Sequence, residues 1–214
     1  AECLKHVNAA IKEARASGHP DAHRQLAAVL LNKTQTLLET RSKMRLCGEM
    51  LKEADVLLAD EPDSDYERYH YDCVSAMYYA MIGDEESALA HIRSATEHAD
   101  AGKDSPLAFA EHLLDEAAVA YIKLDRLTDA IETVRQAIAI CDEHEDIRRY
   151  REVRFNAYLF LGRIYAMNHE YVKAVEAFAE ADKKVVDSPY EWKLPLCPRD
   201  IQEKAQAERS TKTD

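Results

Sequence analysis

Apolar residues recur at intervals of three and four along most of the chain, a spacing typical of amphipathic α-helices. Short polar stretches interrupt this pattern, and they contain Gly, Pro or good N-cap residues such as Asp and Ser. The pattern predicts nine helices and a short polar tenth: residues 4–17, 22–39, a segment between the polar turn at 40–43 and residue 59, 65–82, 85–100, 106–124, 128–143, 147–168, 171–186 and 199–209. We therefore expect an all-α chain.

The composition agrees with this prediction. Hydrophobic residues make up 47% of the 214 residues, whereas there are only 5 Gly and 6 Pro. Gly and Pro are the residues that most weaken a helix, so their scarcity favours helix nearly throughout. A chain of this length is ordinary for a short helical solenoid, in which each helix pair contacts only its neighbours.

The polar turns divide eight of these helices into four pairs with a common spacing. Each first helix ends on a large apolar anchor, and the four anchors are 41, 42 and 44 residues apart: Leu38, Tyr79, Tyr121 and Tyr165. A small residue follows nine positions later in every copy, at Cys47, Ala88, Ala130 and Ala174. Another lies seven positions beyond it, at Ala54, Ala95, Ala137 and Ala181. A repeated spacing of this kind predicts four equivalent helix pairs.

The last pair shows the pattern most fully. Large apolar and small residues share one stripe on each helix, at Leu161, Gly162 and Tyr165 and then at Ala174, Phe178 and Ala181. Small residues where two antiparallel helices cross let them approach closely. This order of residues resembles the tetratricopeptide repeat (TPR), although the period exceeds the usual ~34 residues of that family. It is similar to the longer repeats of kinesin light chains and of the sensor regions of bacterial regulators.

The resemblance implies a right-handed α-solenoid of antiparallel helix pairs. We expect a half repeat at 1–18, helix pairs at 21–59, 64–100, 105–143 and 146–186, and a cap and tail at 187–214. The half repeat is similar to a second helix without its first, so we expect the sequence to belong to a longer protein. The last repeat of a solenoid leaves an apolar face open, and we expect Trp192, Leu194 and Leu196 to fold back over it.

Two helix starts carry recognisable capping residues. Asp84 follows the turn after Tyr79, and its carboxylate can accept from the free N–H groups of the next helix. Ser105 is followed by Pro106, which is favoured at the first position of a helix because it lacks an N–H group. These residues predict where the second helix of the second pair and the first helix of the third pair begin.

The chain carries a formal net charge of −12. Binding to nucleic acid or to an anionic membrane requires clustered Lys and Arg, so this balance argues against both partners. The five cysteines are an odd number, widely spaced and without a Cys-x-x-Cys motif, which indicates a reducing compartment rather than a disulfide framework. No apolar run reaches the ~18 residues of a membrane span, and no signal sequence is visible. We therefore expect a cytoplasmic protein.

In TPR arrays the first helices line a concave groove, and the resemblance implies the same here. Helical spacing from the anchors places twelve residues on this surface: Asn32, Thr36, His70, Cys73, Met77, His112, Asp115, Glu116, Val119, Asn156, Arg163 and Met167. Amides and carboxylates can hold the backbone of a bound peptide or protein segment, and Met adapts to its side chains. Alternatively, the ends, the convex side or the loops make the contacts.

Two further patterns within this set were weighed. Family members that bind chaperones hold a terminal carboxylate with Lys, Asn and Arg on successive first helices, and that pattern is absent here. His70 with Cys73, and His112 with Asp115, have the spacing of possible zinc ligands. Such pairs arise by chance in a chain with 9 His, so we predict no bound metal.

Two polar clusters outside this set have simple explanations. His91 and His98 lie two turns apart on a second helix, where we expect them on a solvated convex face. The acidic run at 142–146 joins two helices, and we expect its charges to interact favourably with the amino-terminal end of the next helix dipole.

The sequence contains no recognisable catalytic or nucleotide-binding motif, so we expect neither an enzyme nor a cofactor. The first hypothesis is a non-catalytic scaffold module that binds a protein or peptide segment in the groove. The second is the peptide-sensing region of an intracellular bacterial transcriptional regulator, in which a bound peptide changes the pitch of the solenoid. A third is self-association through open repeat ends, forming a homo-oligomer.

Overall fold

The computed structural model describes residues 8–9, 11–13, 16, 21–59, 65–101, 105–184 and 196–211. From residue 21 onward these residues form nine helices: α1 Ala22–Glu39, α2 Met44–Leu58, α3 Asp65–Ile82, α4 Glu85–Ala101, α5 over 106–123, α6 Leu127–Asp142, α7 Arg148–Met167, α8 Tyr171–Lys184 and α9 Arg199–Thr211. Helix α5 contains a π-helical segment, Leu113–Ala117, between the α-helical turns Pro106–His112 and Ala118–Lys123.

The described residues are all-α, as predicted, and contain no strand. The bounds of the helices agree with the sequence pattern to within about two residues, because the pattern changes where the polar turns begin. The predicted helix at 4–17 lies mostly outside the described residues. None of the helices described here has both the length and the apolar character that crossing a bilayer requires.

Both predicted N-caps are confirmed. The backbone N–H and the hydroxyl of Ser87 donate to the two carboxylate oxygens of Asp84 at 3.1 and 2.8 Å. The hydroxyl of Ser105 accepts from the N–H of Ala108 at 3.3 Å, and Pro106 occupies the first helical position. These bonds satisfy N–H groups that have no partner inside the helix, and they fix where α4 and α5 begin.

The four tight turns between paired helices share one backbone geometry. Each contains a residue with positive φ, at Arg41 (48°), Gly83 (81°), Asp125 (58°) and His169 (59°). The N–H of the next residue donates to a carbonyl five residues back: Ser42 to Leu37, Asp84 to Tyr79, Arg126 to Tyr121 and Glu170 to Tyr165, all at 2.9–3.0 Å. This Schellman geometry satisfies carbonyls at the end of the first helix and reverses the chain.

The first copy corrects the predicted anchor by one residue. The accepting carbonyl belongs to the predicted Tyr in the other three copies, but here it belongs to Leu37 rather than Leu38. The turn before Cys47 also holds one additional residue, Lys43, whose φ is 54°. The true anchor, Leu37, therefore lies ten positions before Cys47, whereas the predicted anchor, Leu38, lies nine positions before it.

The small residues predicted along the second helices are buried in all four copies. Each of the eight is at most 1% exposed: Cys47, Ala54, Ala88, Ala95, Ala130, Ala137, Ala174 and Ala181. Small side chains at these positions allow the packed helices to approach closely. The repeated spacing therefore identified the inner stripe of α2, α4, α6 and α8.

Gly162 on α7 and Phe178 on α8 form the closest contact of the last pair. A Cβ atom added to Gly162 would lie 3.0 Å from three atoms of the Phe178 ring. Phe178 is among the largest fully buried side chains described. The absence of a side chain at Gly162 therefore creates the space that the ring fills.

Contacts within the pairs show that their helices are antiparallel. Tyr79, near the end of α3, stacks on His91 near the start of α4, with ring centroids 5.4 Å apart. Asp72, earlier on α3, lies 3.3 Å from His98, later on α4. In the same way Tyr165 lies beside Lys173 while the earlier Gly162 faces the later Phe178.

The chain divides into two compact units, Ala1–Ala101 and Gly102–Asp214, called unit 1 and unit 2 below. In unit 1, α3 packs against α1, α2 and α4. Its core contains Leu30, Leu31, Leu51 and Leu58. In unit 2, α7 packs against α5, α6 and α8. Its core contains Val134, Ile138, Ile164 and Phe178.

Helix α9 packs along α8 at the end of unit 2. The Glu208 carboxylate accepts from the N–H of Val172 at 3.1 Å and so caps the first turn of α8. Lys204 lies 5.2 Å from the centre of the Tyr171 ring. Leu196 packs against the unit-2 core, as predicted. The other two residues expected in this cap, Trp192 and Leu194, lie outside the described residues.

Candidate functional site

Two predicted groove residues of unit 1, Asn32 and Thr36, bond within their own helix. The Asn32 amide donates to the Ala28 carbonyl and the Thr36 hydroxyl donates to the Asn32 carbonyl, both at 3.0 Å. Asn32 is exposed and Thr36 is half-buried. These local bonds do not join the two side chains to a larger site.

The other three predicted residues of unit 1 lie on α3, and two of them face inward. Cys73 is only 5% exposed, so the prediction that it lines an open groove is wrong. Met77 is half-buried and packs against the unit-1 core. The reason is that α3 packs against three helices, which requires apolar residues on most of its surface. The His70 ring lies at the contact with α1, 3.2 Å from the Gln35 amide oxygen. Burial lowers the pKa of His70, and Glu67 opposes that shift.

Unit 1 also has a cavity of about 470 Å³ that contains none of the predicted residues. The Lys33 ammonium donates to the Asn8 side-chain oxygen at 2.9 Å, so the chain's own residues meet beside this cavity. Its lining is Asn8, Ile11, Lys12, Leu30, Lys33, Leu46, Glu49, Met50 and Glu53.

In unit 2, the first helices α5 and α7 lie side by side and run in the same direction. Arg149, in the first turn of α7, forms an ion pair with Glu111 of α5 at 2.7 Å. Further along both helices, Val119 of α5 and Arg163 of α7 line the same cavity. On both helices the residue of the second contact lies nearer the carboxyl-terminal end than the residue of the first, so the two helices are parallel.

The space between these two helices is a cavity of about 340 Å³, called the α5–α7 cleft below. Four of the predicted groove residues line it: Asp115, Val119, Asn156 and Arg163. The remaining lining residues are apolar, Leu114, Leu159 and Phe160. The cleft therefore combines an apolar floor with three polar side chains, the usual composition of a ligand site.

The three polar side chains of the cleft are turned toward solvent. Asp115, Asn156 and Arg163 are all exposed. Within the part of the chain that the structure describes, none of them forms a side-chain hydrogen bond or ion pair. A ligand in the cleft could therefore bond to them by displacing water alone, without breaking a bond inside the protein.

The electrostatic surroundings of Asp115 differ from those of an ordinary surface carboxylate. Partial burial and the nearby Glu111 carboxylate raise the pKa of Asp115, while Arg149 lowers it. Arg149 is itself bonded to Glu111 at 2.7 Å and to Glu152 at 3.4 Å, so its charge is shared. A cation supplied by a ligand would therefore interact favourably with the Asp115 carboxylate.

The π-helical segment of α5 lies directly at the cleft and explains one wrong prediction. The N–H of Ala118 bonds to the Leu113 carbonyl, five residues back, instead of the usual four. The wider turn rotates the preceding residues by about 100° relative to an uninterrupted α-helix. His112 was predicted on the groove from its spacing to Tyr121, but this rotation leaves it only 3% exposed.

The imidazole of His112 packs beside an aromatic ring. Its ring lies parallel to that of Phe109, with centroids 6.5 Å apart. Burial lowers the pKa of His112 to about 4. The imidazole is therefore neutral at physiological pH and belongs to the interior of unit 2 rather than to the cleft.

The last two predicted residues flank the cleft without lining it. Glu116 is half-buried beside Asp115 on the π-helical segment. Met167 ends α7, one turn beyond Arg163, and is 51% exposed. A ligand that extended past Arg163 would reach this flexible apolar side chain.

Sequence reasoning missed the floor of the cleft. Leu159 and Phe160 belong to the run Tyr158-Leu159-Phe160-Leu161, which is apolar on more than one face of α7. One face is needed for the core, where Leu161 is buried. The apolar surface of α7 is thus wider than the core alone requires. This excess of apolar residues is the sequence feature that could have predicted Leu159 and Phe160 in the cleft.

A buried polar cluster joins α3 to α4 in unit 1 and was also missed. The Asp72 carboxylate accepts from the Ser94 hydroxyl at 2.6 Å and lies 2.7 Å from His91 Nδ1 and 3.3 Å from His98 Nδ1. His91 and His98 were expected on a solvated convex face. The structure leaves His98 exposed and His91 half-buried, and both rings lie within ion-pair distance of Asp72. Positions 91, 94 and 98 share one stripe of α4, and this stripe faces α3.

The acidic run at 142–146 makes specific ion pairs. Arg154 is 4% exposed, and its guanidinium lies 2.7 Å from Asp142 and 3.5 Å from Glu145. These carboxylates neutralise a buried cation, which the sequence explanation by the helix dipole did not include. For metal binding, the described residues contain no group of three or more His, Cys, Asp or Glu placed to hold an ion.

Comparisons with protein-family models, with curated proteins and with solved structures found no match to this chain. The likeness to TPR repeats therefore rests on the residues and spacings described above.

Proposed function

We propose that unit 2 binds a segment of another polypeptide in the α5–α7 cleft and catalyses no reaction. The observation that carries this proposal is the cleft itself, in which Asp115, Asn156 and Arg163 surround an apolar floor without bonding to described residues. Polar groups around an apolar floor suit a peptide, because they can bond to its backbone while the floor accepts a side chain.

The π-helical segment supports the choice of this surface. A π-helical turn is less stable than an α-helical one and is frequently retained at functional sites. Here the segment Leu113–Ala117 supplies Leu114 and Asp115 to the cleft. A distorted turn at the one place where four predicted groove residues meet favours a role in binding over a role in packing.

We further propose that each unit is a stack of two TPR-like helix pairs. The shared Schellman turns and the buried small residues at equivalent positions support this reading. So does the contact between first helices, α1 with α3 in unit 1 and α5 with α7 in unit 2. In TPR proteins the surface formed by neighbouring first helices is the usual place for peptide ligands.

The proposal can be tested by selecting displayed random peptides against the full chain. We expect enriched peptides, measured by fluorescence anisotropy, to lose at least about tenfold in affinity for the variant Asn156→Trp, because the indole would fill the cleft. The matched control is Gln136→Trp, which adds the same bulk at an exposed position of α6. Enriched peptides that bind Asn156→Trp as tightly as the unaltered chain would contradict the proposal.

A further inference from the structure

The α5–α7 cleft carries opposite charges at its two ends. Asp115 lies at the amino-terminal end on α5 and Arg163 at the carboxyl-terminal end on α7. Asn156 and Arg163 are seven residues apart on α7, which corresponds to about 10 Å along the helix axis. Leu159 and Phe160 lie between Asn156 and Arg163 on α7, and Leu114 lines the cleft beside Asp115.

Neither end charge is neutralised by an ion pair with a described residue. Arg163 has no such pair, and Arg149, the cation nearest Asp115 on α7, is bonded to Glu111 and Glu152. Two opposite charges on the lining of one cleft, neither in an ion pair with a described residue, favour a ligand with the complementary arrangement. They also disfavour a ligand with like charges at both ends, because one of its charges would then face its own sign.

The length of the cleft suits a short extended segment. An extended chain advances about 3.3 Å per residue. The length of the cleft along α7, from Asn156 to Arg163, then corresponds to about three residues of an extended segment.

We infer, on the basis of the function proposed above, that the cleft selects an extended peptide in which a basic and an acidic residue, three positions apart, flank apolar side chains. The basic side chain pairs with Asp115 and the acidic side chain with Arg163. The apolar side chains between them contact Leu159 and Phe160. Because the cleft holds charge of both signs, the net charge of −12 on the chain does not by itself select a basic partner.

The test uses four blocked hexapeptides that share a Leu-Phe centre and differ only in the two flanking residues. These are Lys and Glu, Lys and Lys, Glu and Glu, or Gln and Gln. Dissociation constants are measured on the full chain by NMR titration, following backbone signals of α5 and α7. We expect the Lys–Glu peptide to bind at least about fivefold more tightly than the other three, with the advantage decreasing as salt is added.

Two charge-reversal variants sharpen the test. Asp115→Lys should make the Glu–Glu peptide the preferred ligand, and Arg163→Glu should make the Lys–Lys peptide the preferred ligand. Both positions are exposed, so neither change buries a charge, and an unchanged NMR spectrum elsewhere confirms folding. The matched control is Arg93→Glu, at an exposed position of α4 in unit 1, which should leave the ranking unaltered.

The possible failures are distinguishable. If the Gln–Gln peptide binds the cleft as tightly as the Lys–Glu peptide, or if the variants keep the original ranking, the inferred charge selection is wrong while peptide binding stands. If none of the four peptides shifts the signals of α5 and α7, but displayed peptides that Asn156→Trp excludes do, the inference is again wrong. If displayed peptides also bind Asn156→Trp as tightly as the unaltered chain, both the inference and the proposed function are wrong.

Discussion

At the scale of single residues, Asp72 shows how one carboxylate can join two helices. Ser94, His91 and His98 of α4 all meet it on α3. We expect Asp72→Asn to destabilise unit 1 by ~2 kcal/mol, because hydrogen bonds to a charged acceptor contribute more than those to a neutral amide. Native-state hydrogen exchange of the α3 and α4 amides would measure this loss. Glu97→Gln, the same chemical change at an exposed site of α4, should have little effect.

His112 makes the stability of unit 2 depend on pH. Its pKa is about 4 in the folded chain, against ~6.5 when unfolded, so the unfolded state binds more protons between these values. Stability should therefore decrease as pH falls below ~6.5, with a loss of ~2 kcal/mol between pH 7.5 and pH 5. Urea unfolding at both pH values would measure it.

The variant His112→Gln should remove most of this dependence, since Gln does not titrate. The pKa of His70 is also lowered, so the stability of unit 1 should depend on pH in the same direction and keep that dependence in this variant. Equal pH dependence of unit 2 in the variant and in the unaltered chain would show that His112 is not its source.

Individual polar residues were the least predictable part of the molecule. Arg163 could be placed on the groove surface because α7 keeps α-helical spacing up to its turn. His112 could not, because the π-helical segment Leu113–Ala117 has no compositional mark that separates it from ordinary helix. Asp72 reads as a polar residue of a helix, and only its contacts across to α4 reveal its role.

At the scale of secondary-structure elements, the α7–α8 contact depends on a pairing of side-chain sizes. Gly162→Ala would normally stabilise a helix by ~1 kcal/mol. Here the added Cβ meets the Phe178 ring at 3.0 Å, and we expect net destabilisation of ~1–2 kcal/mol.

The double variant Gly162→Ala/Phe178→Leu identifies the cause. In the Phe178→Leu background the Ala substitution should be neutral or stabilising, which gives a coupling energy of at least ~1 kcal/mol in a double-mutant cycle measured by urea unfolding. Additive effects of the two substitutions would mean that the ring does not limit the space at Gly162.

The elements themselves were largely predictable, and the turns only in part. Capping by Asp84 and Ser105 marked helix starts because these side chains have a definite hydrogen-bonding role. The left-handed turn residue is Gly only at Gly83, whereas Arg41 and His169 adopt the same geometry without the residue type that would announce it. Only the first copy also has an additional turn residue, Lys43, and this residue displaced its predicted anchor by one position.

At the scale of the whole molecule, each unit contains a hydrophobic core of its own. We therefore expect the fragments 1–101 and 102–214, made separately, to be helical and to unfold cooperatively. Circular dichroism during thermal unfolding would test each one. A fragment with a broad, non-cooperative transition would show that its core depends on the rest of the chain. The division into two units could not be predicted, because the repeat spacing continues across it.

Helix α9 limits how unit 2 can be extended. Ala205 of α9 is buried, and most of the other described side chains of α9 are polar and exposed. The Glu208 carboxylate accepts a hydrogen bond from an N–H group at the start of α8. A further repeat that docked on the α9-covered face of α8 would have to displace α9. This holds for a repeat added by gene fusion and for one from a second molecule. Helix α9 thus opposes end-to-end association at this end of unit 2. A chain shortened before residue 199 would lack α9 and should associate more readily.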